Sequence, residues 1–157
     1  MLTFNQIIRR IRAVTLAHQQ VRTFSKGLVS DFLVNKTTKY PAVFIQNSGG
    51  KFSMNGRSST VSFRMFIIDM VHVSDDTNEN ETDVHSDMIS IGLDLLTQFN
   101  NPNYNDWRIS SDNNFQLIVE NDGDMYAGIY VDFSISFIYN QNVCQIPTLK
   151  TIYQTTD

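Results

Sequence analysis

A single cysteine, Cys144, stands in 157 residues. An internal disulfide is excluded, and so is any zinc site built on several thiolates. The fold must rest on packing alone, which suits an intracellular folding compartment. Proline is scarce at three residues, and charged residues make up 18% of the chain, below the roughly 25% usual for soluble domains. The expectation is that a partner covers part of the uncharged surface. No apolar run reaches the roughly 18 residues of a membrane span. Arg9, Arg10 and Arg12 stand where a secretion signal would carry its apolar centre. A soluble protein made in the cytoplasm is expected. What the sequence does have is the material of an ordinary core: 41% apolar residues, with eleven Phe and six Tyr, enough for one domain.

The net charge of -4 hides a split. Ten of the twelve Lys/Arg lie in the segment ending at Arg64, where Asp31 is the sole acid, and the other fifteen acids follow it. Such asymmetry predicts a molecule with a positive and a negative side, suited to steering a partner or to head-to-tail stacking. The competing expectation is that folding interleaves the two halves and cancels the field.

Periodicity divides the chain into an α+β order. A first helix is expected from about Phe4 to Gln20, with Thr3 and Gln6 spaced as a capping box and Leu2 and Ile7 as a hydrophobic staple. Phe4, Ile7, Ile8, Ile11 and Val14 form its apolar stripe, which leaves Arg9, Arg10 and Arg12 on the exposed side. Val21 to Phe24 and Leu28 to Val34 look extended around a break at Gly27. After Tyr40-Pro41, the strand Ala42 to Gln46 is expected to turn at Ser48-Gly49-Gly50 into KFSM.

The long stretch Arg57 to Val73 puts Val61, Phe63, Met65, Ile67, Val71 and Val73 on one face, interrupted by Asp69. It reads as a central strand with a helix on one side. An acidic loop, Ser74 to Asp83, leads to a second helix from about Thr82 to Asn100, with a stripe of Val84, Met88, Ile91, Leu95, Leu96 and Phe99 packed across the sheet. Asn100 to Trp107 is turn-rich. Two strands around Asp122-Gly123 finish the domain, the second alternating from Met125 to Tyr139. At about 3.3 Å per residue such a strand spans roughly 50 Å, so part of it is expected to reach a neighbour or project as a hairpin. The domain is expected to cover 1–140. Residues 141–157, with Pro147, read either as a disordered tail or as an arm packing Ile146, Leu149, Ile152 and Tyr153 on a neighbour.

Chemistry is sparsely signalled. The stretch HQQVRTFSKGLVSDF, residues 18–32, gathers a histidine, two serines, a lysine and an aspartate, yet no G-x-S-x-G or comparable nucleophile motif accompanies it. His18 falls near a helix end, and His72 and His85 read as surface or interface residues. Asp76, Asn78 and Asn80 take the first, third and fifth places of a calcium loop, but Glu81 replaces its glycine and the twelfth place, Asp87, falls in the expected helix. Turn and capping roles explain them as well, with Asn80 or Thr82 as N-cap. Ser48-Gly49-Gly50-Lys51 lacks the spacing of a phosphate loop. No catalytic residue, metal or cofactor is expected. Two other readings remain: a small enzyme or ligand-binding domain, with a pocket between the second helix and the sheet and Asp69, His72 or His85 at its mouth; and a DNA-binding accessory protein using Arg9, Arg10 and Arg12.

The pieces His18-Gln-Gln-Val21, Phe24-Ser-Lys-Gly27, Asp31, Tyr40-Pro41-Ala-Val-Phe, Ile68-Asp69-Met-Val71 and Val84-His-Ser-Asp87, in this order, resemble the small tail-completion and neck proteins of tailed bacteriophages. The chain is similar too to α+β ring subunits of the tail-terminator type, including those of crAss-like phages. The resemblance spans about residues 4 to 140 and has no catalytic signature to carry over. It implies a structural virion protein, assembled in the host cytoplasm. A six- or twelve-fold ring would surround the DNA channel at the head-to-tail joint, with portal, adaptor or tail-tube proteins as partners and non-specific contact with packaged DNA. On that reading Arg9, Arg10, Arg12, Arg22 and Lys26 are candidates for the channel or the ring interface. Tyr126, Tyr130, Ile146, Leu149, Ile152 and Tyr153 are candidates for contact between subunits.

Overall fold

In the computed structural model, residues 2–28, 31, 37–71, 77–119 and 126–139 are described. They form α1 (Phe4–Ala17), β1 (Thr23–Lys26), β2 (Ala42–Ser53), β3 (Ser58–Met70), α2 (Thr77–Phe99), β4 (Arg108–Ile109), β5 (Phe115–Ile118) and β6 (Tyr126–Ile138). The architecture is α+β: two helices on a six-stranded, mostly antiparallel sheet of order β1-β2-β3-β6-β4, with β5 also on β6.

Strict alternation in the two longest strands builds the centre. β3 and β6 pair antiparallel without a register shift, from Ser58 opposite Ile138 to Met70 opposite Tyr126. Opposed residues share a face, so Phe63, Met65 and Ile67 lie beside Phe133, Val131 and Ile129, and all six are buried. Onto this face α2 lays Met88, Ile91, Leu95 and Phe99, and α1 lays Ile7 and Ile11. The apolar stripes read from both helices are thus the ones used.

The expected start of α1 is present. Thr3 Oγ1 accepts from the Gln6 N–H at 3.3 Å, the Thr3 N–H donates to Gln6 Oε1 at 2.7 Å, and Leu2 and Ile7 are buried. The helix stops at Ala17, three residues before the expected end. His18 turns to an extended ψ of 130°, and its ring is held on the far side by Asp94 of α2, 3.3 Å from Nε2. At the other helix the boundary shifts outward: α2 begins at Thr77, so Asn80 and Thr82 lie inside it rather than capping it. Acidic residues near a helix N-terminus suit the positive end of the helix dipole, and this stretch forms helix rather than loop. Asn78, Asn80 and Glu81 are therefore helical residues and not members of a calcium loop.

A second correction concerns β2. The turn expected at Ser48-Gly49-Gly50 is a bulge in a strand that runs on to Ser53 and turns over residues 54–57. Gly49 takes φ 112°, in the region that favours glycine, and its N–H donates to Asn47 Oδ1 at 2.7 Å. Beyond the bulge the ladder resumes, Gly50 opposite Val61 and Ser53 opposite Ser58. β1 pairs parallel with β2 along Ala42 to Ile45 only, so from Gln46 to Ser53 one edge of β2 has no strand beside it among the described residues. At Asp31 the chain is not extended, since its N–H donates to the Leu28 carbonyl; the rest of the Leu28 to Val34 expectation falls mostly outside the described residues.

β6 is occupied on both edges, by β3 along its length and by β4 and β5 on the other side. Its length is thus accounted for within the chain over Tyr126 to Ile138. The expected arm, with Ile146, Leu149, Ile152 and Tyr153, lies outside the described residues, as does the Asp122-Gly123 turn.

Closest approach in the sheet occurs at Gly128, where an added Cβ would lie 2.0 Å from the Ile67 carbonyl oxygen and 2.9 Å from the Ile68 Cα. Both are backbone atoms and cannot swing aside. Gly128→Ala is expected to lower stability by about 1–3 kcal/mol, read as a lower urea midpoint. An unchanged midpoint would show that β3 and β6 are not held this close.

Candidate functional site

The fold brings the residues for chemistry to separate places. His18 Nδ1 accepts from the Gln20 N–H at 3.2 Å, and Nε2 faces Asp94 at 3.3 Å. With Nδ1 as acceptor the neutral ring carries its proton on Nε2, where it donates to Asp94. Both nitrogens are committed to joining α1 to α2, and no free base is left. A concavity of about 780 Å³ opens beside this pair, lined by both helices and by Tyr104. The described concavities thus include one between the helices rather than between α2 and the sheet. The α2–sheet interface is closed by Met88, Ile91, Leu95 and Phe99, each at most 1% exposed.

Of the three residues placed at the mouth of that expected pocket, His85 lies 2.9 Å through Nε2 from the Ile118 carbonyl oxygen, joining α2 to β5. Asp69 sits where β3 ends, and its Oδ1 accepts from the Met70 N–H at 2.7 Å. Burial, together with the Asp69 carboxylate, pushes the Tyr40 hydroxyl above its ordinary pKa. His72 lies outside the described residues. Among the described residues no group of three His, Cys, Asp or Glu is arranged to hold a metal ion.

The arginine cluster divides. Arg9 and Arg12 are exposed, as expected, but Arg10 is only partly so. Its guanidinium grips Asp106 in a two-pronged bond of 2.6 and 2.9 Å. It also lies 4.7 Å from the ring centre of Tyr104 and 4.6 Å from that of Trp107. Arg10 is therefore a fastener within the fold, not a free basic group. The helical wheel missed this because its partners come from the loop after α2, ninety-six residues along the chain. The same loop is fixed from below: Trp107 Nε1–H donates to the Phe99 carbonyl at 2.9 Å. Stacked rings then run from Phe99 through Phe133 and Phe63 back to Phe4 of α1. Lys26 is exposed and places its ammonium 4.9 Å from the Phe4 ring centre, while Arg22 is exposed just ahead of β1.

No described helix covers the opposite face of the sheet. Near the Tyr40-Pro41 end it is apolar, with Ala42, Phe44 and Ile68 buried under Tyr40, Phe66 and Ile118. Tyr130 sits at its border. Its hydroxyl donates to Gln116 Oε1 at 2.5 Å, and its ring meets Phe66 and the Arg64 guanidinium. Arg64 in turn holds Asp132 through bonds of 2.8 and 2.9 Å. Beyond it comes a hydroxyl ladder, Ser62 to Ser134 at 2.9 Å and Thr60 to Ser136 at 2.8 Å. Tyr126 is half-buried on this face, so the two described tyrosine candidates for subunit contact, Tyr126 and Tyr130, belong to it.

At the far end the β2–β3 turn and the end of β6 expose large apolar side chains. Phe52 is 78% exposed, and Met54 and Ile138 are each 75% exposed. Tyr139 ties the end of β6 to the β2–β3 turn, its N–H bonded to the Arg57 carbonyl and its hydroxyl donating to Met54 Sδ at 3.3 Å. The sequence reading missed this tip because it ended the hairpin at Gly50. The signal was nonetheless present, as Phe52 stands just before the true turn and Met54 opens it. β5 adds Phe115, Leu117 and Val119, each about half exposed or more. Scattered apolar residues are common on surfaces, but the three gathered at the far end of the sheet, Phe52, Met54 and Ile138, are each at least 75% exposed and mark a contact surface.

Neither a protein-family model nor a curated protein matches this chain.

The Arg10 fastener gives a pH test. Its hydrogen bond and charge hold the Asp106 carboxyl below its ordinary pKa. A carboxylate with a lowered folded pKa contributes stability above its unfolded value, about 3.9, and loses that contribution as pH falls through the folded value. Asp106→Asn is expected to cost about 1 kcal/mol or less near neutrality, since the carboxylate is 43% exposed. The gap between variant and wild type in chemical denaturation should close below about pH 4. A gap that persists unchanged to about pH 2 would contradict the pairing.

Proposed function

We propose that this chain is a structural subunit of a homo-oligomeric ring at the head-to-tail joint of a tailed bacteriophage. It works by assembly and not by catalysis. The observation that carries the assembly part is the rim of the sheet: an edge of β2 from Gln46 to Ser53 that has no strand beside it among the described residues, ending in exposed Phe52 and Met54, with Ile138 exposed at the end of β6. An open edge offers backbone donors and acceptors to another chain, and the exposed apolar tip adds burial when that chain arrives. The phage assignment is supported by the resemblance of residues 4 to 140 in element order and in the pieces named above. The engagement of His18, and of His85 with the Ile118 carbonyl, gives no support to a hydrolytic reading.

Within the ring, the uncovered sheet face and the tip meet a neighbouring subunit or the next neck layer. Arg9, Arg12, Arg22 and Lys26 remain available to an acidic neighbour or to DNA, whereas Arg10 does not. Portal, adaptor or tail-tube proteins are the partners above and below.

Two measurements test this. Removing the gene from a phage that carries it should leave filled heads and separate tails; infectious joined particles made without it would refute the assignment. Replacing Phe52, Met54 and Ile138 together by serine should block assembly while moving stability by only about 0.5 kcal/mol per site, as for exposed positions. Normal assembly of that variant would remove the tip from the account.

A further inference from the structure

The sequence leaves open whether folding cancels the charge split. At the helices it does not. The α1 sequence carries Arg9, Arg10 and Arg12 and no acid, while α2 carries Glu79, Glu81, Asp83, Asp87 and Asp94 and neither Lys nor Arg. The two helices lie side by side on one face of the sheet, joined by His18 and Asp94. Arg9 and Arg12 are exposed on α1, and Asp83 and Asp87 on α2. None of these four has an ion-pair partner among the described residues. On α1, Leu16 continues the row of Arg9 and Arg12 and is 44% exposed, while on α2 Leu93, 66% exposed, stands on the outer face beside the row of Asp83 and Asp87.

From this pairing of surfaces we infer that the basic outer ridge of α1 in one copy docks on the acidic outer ridge of α2 in a second copy of the same chain. Charge complementarity identifies the occupant. A second copy supplies the opposite ridge in each case, and on the basic side it also covers Leu16, which lies in the row of Arg9 and Arg12. A nucleic acid fits less well, because the acidic α2 flanks the basic ridge and repels a polyanion at the range of a Debye length. Because donor and acceptor ridges differ, the contact is heterologous whenever it repeats in one direction, and such contacts close into rings when the rotation allows. The inference deepens the ring reading and takes its biological meaning from it, but the contact itself is tested without a phage.

The test uses the full chain and its mass in solution by sedimentation. Wild type is expected to self-associate at about 0.05 M salt and to fall toward the 18.0 kDa monomer near 1 M, where screening is short-ranged. Arg9→Glu with Arg12→Glu should weaken association by roughly tenfold or more, and so should Asp83→Lys with Asp87→Lys. Circular dichroism checks that each remains folded. An equimolar mixture of the two reversed chains should recover association, because each then meets its complement, and the chain with all four reversals should recover it as well. Wild type that stays monomeric throughout, or reversed chains that associate as wild type does, would overturn the inference. Reversal at Arg9 and Arg12 that abolishes binding to a duplex DNA fragment while leaving self-association intact would overturn it too, and would assign α1 to nucleic acid. Helix-dependent association of a protein not needed for head-to-tail joining defeats the phage reading alone. A requirement for joining, with reversed chains assembling normally, defeats the helix contact alone.

Discussion

The unbroken pairing of β3 with β6 is what the rest of the structure hangs on. Thirteen residues of each strand, Ser58–Met70 and Tyr126–Ile138, stay in one register. A slip of one residue would turn Phe63, Met65, Ile67, Val131 and Phe133 away from the helices. On the helix side this ladder carries the core. On the other side it aligns Arg64 with Asp132, Ser62 with Ser134 and Thr60 with Ser136. One register therefore defines a packed face and a face that no described helix covers. Both described helices lie on the first, and the proposed assembly uses the second.

Around that ladder, two fasteners set how the helices sit. Arg10 closes a circuit in which aromatic rings run from Phe4 through Phe63, Phe133 and Phe99 to Trp107 and Tyr104, and the guanidinium of α1 receives the end of the chain of contacts. Each such ring pair contributes about 0.5–1.5 kcal/mol beyond its burial. His18, at the C-terminal end of α1, is held by Asp94 in the last turns of α2. With α1 and α2 positioned this way, their unlike charges stand adjacent on one surface instead of being mixed. Along the two helices the split of the sequence is kept in space, while Arg10 with Asp106 and Arg64 with Asp132 cancel it locally.

Much of this was legible because it is local or periodic. The capping box at Thr3, the two helical stripes and the alternation in β3 and β6 follow from spacings within one element, and the α+β class follows from their order. What was not legible depends on neighbours distant in sequence. Ser48-Gly49-Gly50 carries every local sign of a turn, yet β3 opposite it continues, and the strand absorbs the glycines as a bulge. Arg10 looks exposed on a helical wheel until Tyr104, Asp106 and Trp107 arrive from the loop after α2. The acidic run before Val84 looks like a solvated loop, but part of it is the opening of α2. Each error concealed something relevant to function: an apolar tip, an arginine unavailable for binding, and a longer acidic helix.

The central claim is that surface left uncovered in one chain is covered by another. Hydrogen exchange of the full chain, compared between dilute and concentrated solution, tests it most directly. The account predicts that, within Gln46 to Ser53, the amides pointing away from β3 become protected as concentration rises, while those of the β3–β6 ladder exchange slowly throughout. Rapid and identical exchange of those outward amides at every concentration would contradict it.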